Sequence, residues 1–241
     1  MYHKSLMTLA LAAAAGTVSA DNIRAGDTDI TLTLASVTPA RAVSAYFLDS
    51  TTSELFNRTV SAGRLNWNNG SSSFCVQILE GIAIGAAKTF DAVEVEQVPE
   101  APPGPGPMGT LRANLIRDLY ARHYFDMLDA TGSDARDQSA SFAMIIWEIT
   151  HQDSDAVTTE GLLSDLDLSS GNAQFGSSST VNSLASGWLN GLGGGTGDFL
   201  GFGQLLGLTD PTTQDFLIVV PGPAGLMAFA GLAGIRSRRR G

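Results

Sequence analysis

Polar and apolar residues alternate with a period of two along Thr28-Asp-Ile30-Thr-Leu32-Thr-Leu34, and again along Ala42 to Leu48. Such alternation predicts strands with one buried face. A further strand is expected over Val60 to Trp67, where Asn68-Asn69-Gly70 supplies a hairpin turn, and Ser73 to Ile78 returns from it. Thr89 to Val98 is read as one more. The run Pro99 to Pro107 holds too many prolines for a helix and predicts an extended connection. Beyond it the period changes. Leu111, Leu115, Ile116, Leu119, Tyr120, His123, Tyr124, Met127 and Leu128 recur at spacings of three and four, which predicts an amphipathic helix over 109–129. A more apolar helix is expected over 138–150 and a weaker one over 179–190.

Between these helices, Leu162 to Gly171 alternates Leu with Ser and Asp and is read as a short hairpin or loop. Gly191 to Gly203 is read as a mobile glycine-rich turn, and 214–220 as a closing strand. The expected fold is therefore α+β: an antiparallel β-sandwich or barrel with a helical subdomain inserted, plus a short C-terminal apolar helix. One body over 21–215 is expected, with a β-rich part at 21–98, a proline-rich connection at 99–108 and a helical part at 109–190. A terminal segment is counted from 216 to 241. No internal repeat is present.

The chain has 241 residues, with 14 Lys and Arg against 24 Asp and Glu, for a net charge of -10. Setting aside Lys4 and the four C-terminal arginines leaves 9 basic groups against 24 acidic ones, about -15 for the body. A surface of that sign repels phosphate backbones, so nucleic-acid binding is not expected. The single cysteine, Cys75, excludes an intramolecular disulfide.

Both ends read as targeting segments. Met1 to Lys4 is a short basic start, Leu6 to Ala15 is apolar, and Val18-Ser19-Ala20 has the small residues of a secretory cleavage site, placing the cut after Ala20. At the other end Phe216 to Ile235 contains no charge, but Pro221 and Pro223 oppose a continuous helix. A helix from Pro223 to Ile235 would be about 20 Å long, short for a permanent span. Val220-Pro221-Gly222-Pro223, an apolar stretch, and Arg236, Arg238, Arg239 and Arg240 follow in order. That order resembles the PEP-CTERM class of bacterial sorting signals, with Gly222 where the usual motif has glutamate. The resemblance implies Sec-type export, transient inner-membrane insertion, processing by an exosortase-like enzyme, and a destination in the cell envelope or extracellular matrix. The arginines would stay on the cytoplasmic side.

Two internal stretches carry a second resemblance. Val60 to Gly63 leads into Phe74-Cys75-Val76, and Ser141 to Ile149 contains Ile146-Trp147-Glu148-Ile149. Together they look like the thioester-domain proteins, in which a Phe/Tyr-Cys strand meets a Gln-x-x-Ile-Trp helix. In that family a cysteine thiolate attacks a glutamine carboxamide, ammonia leaves, and an internal thioester remains. Cys75 stands at the cysteine position. The glutamine position, four residues before Trp147, is Ala143, which has no carboxamide, and Gln138 is roughly 140° away around the helix. The resemblance therefore implies a retained fold without the reactive bond.

Read from the residues alone, Cys75 and Trp147 are core positions, and Glu148 needs a backbone or arginine partner. Glu148-x-x-His151 matches half of a di-iron motif, against a surface histidine closing a helix. Asp153-Ser-Asp155 and Asp165-Leu-Asp167 could hold calcium loosely or form a solvated acidic loop. No phosphate-binding glycine loop and no nucleophile elbow is present. No cofactor, metal or catalytic residue is expected. The leading expectation is a structural or binding protein whose partner is extracellular polysaccharide or a surface protein. The alternatives are a covalent adhesin using Cys75 with a different amide, and a secreted carboxylate hydrolase using the 148–167 region.

Overall fold

The two alternating stretches near the start of the chain form one strand, β1 (Ile30–Leu48), and not two. Its pairing with β2 (Leu55–Trp67) skips twice, between Leu34 and Ser36 and between Val37 and Ala40. Each skip puts one extra residue on β1, a bulge that bends the strand and interrupts its alternation. The bend lets one strand serve several neighbours. Ile30 to Thr33 pair with β4 (Ala87–Val93), and Ser44 to Phe47 pair with β5 (Ala173–Gly176).

In this computed structural model the described residues are 23–49, 52–101, 105–193 and 203–221. They form seven antiparallel strands and four helices: α1 (Gly109–Asp129), α2 (Gly132–His151), α3 (Thr159–Asp165) and α4 (Ser179–Asn190). With β3 (Ser72–Cys75), β6 (Gly203–Thr209) and β7 (Phe216–Pro221), the sheet order is β2-β3-β7-β6-β4-β1-β5, and β2 also pairs with β1. The ladder thus returns to its start through six strands. Inside that ring Trp67, Phe90 and Phe216, from β2, β4 and β7, meet edge to face with centroids 5.2–5.7 Å apart. A second aromatic group, Phe74, Phe142 and Tyr120, joins β3 to α2 and α1.

Helix α2 is central. From Ser139 to His151 every residue is buried, because the helix packs against β1, β2, α1 and α4. A helix apolar all round has no solvent face to give. Helices α1 and α4 have the predicted bounds, whereas α2 begins six residues earlier than 138, in the polar run Gly132 to Asp137.

Four expectations are corrected. The region 162–171 is partly helical: α3 is capped by Thr158, whose Oγ1 accepts the Gly161 N–H at 3.1 Å. The strand expected over 89–98 ends at Val93 and gives way to a 3-10 turn, Val95–Gln97. The strand expected to continue to Ile78 ends at Cys75. The terminal segment counted from residue 216 overlaps the body, since β7 is an interior strand between β3 and β6, with Leu217 and Ile218 fully buried.

Among the described residues no helix is long and apolar enough to cross a membrane. The signal segment with Ala20, most of the glycine-rich turn, and Gly222, Pro223 and the arginines Arg236, Arg238, Arg239 and Arg240 lie outside the described residues.

Candidate functional site

Cys75 ends β3, where the chain leaves the ladder and must satisfy its polar groups some other way. Val76 N–H donates to the Asp215 carbonyl at 2.9 Å. The Trp147 indole N–H donates to the Cys75 carbonyl at 3.1 Å. One turn further along α2, the His151 ring accepts the Ile78 N–H at Nε2 (3.3 Å) and contacts the Trp147 carbonyl through Nδ1 (3.0 Å). Both contacts are satisfied together when the proton is on Nδ1. His151 is thus a buried neutral ring, 1% exposed, and not the surface histidine expected from its place at a helix end. Burial pushes its pKa down to about 4.

The thiol of Cys75 donates to the Gln77 carbonyl, and the same oxygen receives the Gln214 amide at 3.3 Å. Burial pushes the thiol up to about 12, so the thiolate is scarce at neutral pH. Ala143 is buried one turn before Trp147 on α2. Cys75, Trp147 and Gln214 line one cavity of about 420 Å³.

Glu148 is fully buried. Its Oε1 accepts the Asp167 N–H at 2.8 Å, whereas Oε2 has no hydrogen-bond partner among the described residues. Desolvation lifts its pKa to about 8, despite the nearby Arg112. Arg112 donates instead to the carbonyls of Ile149 and Gln152, at the C-terminal end of α2 where positive charge is favourable. The sequence reading asked for a backbone or arginine partner, and the hydrogen bond is to backbone. A second buried carboxyl, Asp215, went unrecognised. It accepts the N–H groups of Glu100 and Asp210, and burial raises it to about 7. Its position in a short polar loop before β7 carried no signal.

A second, open cleft of about 760 Å³ is walled by Pro105 to Met108, Arg112, the end of α2 and the 152–156 loop. Asp153, Asp155 and Asp165 line it, and Asp165 accepts the Ser154 hydroxyl at 2.6 Å. Asp167 binds the Ser169 N–H and the hydroxyls of Ser169 and Ser170. Among the described residues no group of three His, Cys, Asp or Glu side chains is placed to hold a metal ion.

The buried titratable groups set an expected pH profile. Glu148 and Asp215 have folded pKa values above their ordinary 4.5 and 3.8, so their contribution is full at low pH and is lost as pH rises to about 8 and 7. His151, lowered from 6.5, acts in the opposite sense: its contribution is lost as pH falls towards 4. It offsets one carboxyl below 6.5, and above that the carboxyl loss is uncompensated. Urea unfolding should therefore give a stability lower by about 2 kcal/mol at pH 8.5 than at pH 6.5. Glu148→Gln should flatten the upper part of that fall. Equal stability at the two pH values in the unsubstituted chain would show these carboxyls to be solvated.

No family model matches the chain, and no curated protein or solved structure matches it either.

Proposed function

We propose that this chain is an exported cell-envelope or extracellular-matrix protein, sorted through its C-terminal segment and acting by binding rather than catalysis. Its body is read as a small barrel with an inserted helical layer, resembling a thioester domain whose reactive bond has been lost. The observation that carries this reading is the junction of β3 with α2. The aromatic-Cys strand meets the Ile-Trp helix through the hydrogen bond from Trp147 to the Cys75 carbonyl, with Ala143 where a reactive glutamine would stand. A thiol raised to about 12 and donating to a carbonyl suits a packed core residue. The open polar cleft beside Arg112 and Asp153 supports a binding role, with polysaccharide hydroxyls or a surface protein as the partner. The hydrolase reading has less support: Glu148 is fully buried, and it is not among the residues lining that cleft.

The covalent alternative has one observation in its favour. The Cys75 thiol and the Gln214 carboxamide converge on the same Gln77 carbonyl, so an amide other than position 143 is near the sulfur. In that reading Sγ would bond to the Gln214 carbonyl carbon, and the thiol proton would leave with the amide nitrogen as ammonia.

Intact mass of the protein from the surface or medium fraction of its host, with and without iodoacetamide under native conditions, separates these readings. The expected result is a chain beginning after Ala20 and ending near Pro221, with no ammonia lost. Cys75 should be alkylated only after denaturation. A mass short by one ammonia would replace the binding reading with the covalent one. A full-length C-terminus retained in the inner membrane would overturn the sorting reading.

A further inference from the structure

Among the described residues the first half of β2 is hydrogen-bonded on one side only. It pairs with β1 along its whole length, but its ladder to β3 is confined to Leu65 and Asn66. From Leu55 to Ser61 no described backbone group pairs with the other edge. In an antiparallel strand every second residue directs its N–H and C=O away from a given neighbour, so this edge presents a row of unused donors and acceptors.

The 420 Å³ cavity runs beside that edge. Arg58, Thr59, Val60 and Ser61 all line it. Consecutive strand residues point to opposite faces, so a cavity touching four in a row meets the strand along its edge. The β1 side is occupied by the ladder, and Val37 is the one residue of β1 among those lining the cavity, which places most of it along the open side. The opposite wall is the irregular segment from Ile78 to Ile82, which makes no backbone hydrogen bond to β2. The space between is a slot with a strand edge on one side and apolar side chains such as Ile78, Leu79 and Trp147 around it.

Charge chooses among occupants. The body carries about -15, yet β1 and β2 contain three arginines, Arg41, Arg58 and Arg64, and no acidic residue. Arg41 is taken by Asp137 at 2.6 Å. Arg58 is exposed, lies over the Phe56 ring at 5.2 Å, and has no ion-pair partner among the described residues. Glu80, on the far wall, already accepts the Gln77 amide at 2.9 Å. A second copy would set Arg58 against its own counterpart in a symmetric edge pairing, like charge on like.

We propose that the open edge of β2 and the adjoining slot form a docking site for an extended acidic peptide, which adds to the sheet as a further strand. Main-chain hydrogen bonds to Leu55–Ser61 supply the register, an apolar side chain enters the slot, and a carboxylate meets Arg58. The proposal does not rest on the export reading.

The test uses the full chain and two probes: a valine-rich hexapeptide carrying glutamates, and the same peptide with lysines in their place. Amide hydrogen exchange should slow across 55–61 with the glutamate peptide and not with the lysine peptide. Arg58→Gln, at an exposed position, should weaken binding of the glutamate peptide by about tenfold, the effect of one lost charge contact. Equal binding of both peptides, binding that leaves 55–61 unprotected, or no binding at millimolar peptide would each overturn the proposal. Protection of 55–61 in the free protein together with a dimer in sedimentation would assign the edge to a second copy instead.

Discussion

Trp147→Ala should lower the unfolding free energy by about 3–5 kcal/mol, a large share of what a domain of this size has. Trp147 is 3% exposed and does four things at once. Its ring packs on Phe175 of β5, with centroids 5.7 Å apart. Its indole N–H holds the Cys75 carbonyl, its own carbonyl meets His151, and it closes one wall of the 420 Å³ cavity. Alanine enlarges that cavity and leaves a buried carbonyl unpaired. Trp147→Phe separates the two effects, because the ring volume is mostly kept and only the donor is lost. It should cost about 1–3 kcal/mol, the range for an orphaned buried acceptor. Urea denaturation of the three proteins measures both. If Trp147→Phe equals the parent, the indole hydrogen bond does not hold the end of β3. If Trp147→Ala costs under about 1 kcal/mol, the junction of β3 and α2 is not a packed core.

The second large effect is expected at Gly63, where β2 crosses the second bulge of β1. A Cβ built there would meet the Pro39 carbonyl oxygen and lie 2.6 Å from Ala40 Cβ and 2.7 Å from Ala40 Cα. Two of these three neighbours are main chain, and main chain can move only by breaking the Ala40–Gly63 register. Gly63→Ala should therefore cost about 3 kcal/mol, the upper end of the range for overpacking. Gly81→Ala is the matched control, since nothing lies within 4 Å of its added carbon. It should stay within about 0.5 kcal/mol of the parent. Equal melting behaviour for the two variants would mean that β1 and β2 are not pinned at the bulge.

How far the sequence could be read depended on how local each signal was. Helices α1 and α4 were legible because their apolar spacing and end residues are neighbours in the chain. The hairpin turn was legible too: Asn68-Asn69-Gly70 ends in a glycine with φ of +84°, joined by the Trp67 N–H to Ser71 carbonyl bond. Strand β1 was split in two because its bulges break the alternation on which a strand is recognised. Helix α3 was missed because Leu162, Leu166 and Leu168 are all buried, and the alternation of the last two with polar residues mimics a strand. Strands β5 and β6 went unassigned, one only four residues long and the other interrupted by Gly207.

The candidate site divides in the same way. Sequence alone marked Cys75, Trp147 and Glu148, and the absence of a carboxamide at position 143, because these are identities and spacings. It also set the acidic balance and the arrangement of apolar, proline and arginine residues at the C-terminus. Only the tertiary structure paired Trp147 with the Cys75 carbonyl, buried His151 as a neutral ring, turned Arg112 onto α2, and brought Gln214 to the oxygen shared with Cys75. It also left one edge of β2 without a pairing strand among the described residues. These contacts join residues dozens of positions apart, and a pairing across that separation is set by which surfaces pack together, something no local period along the chain records.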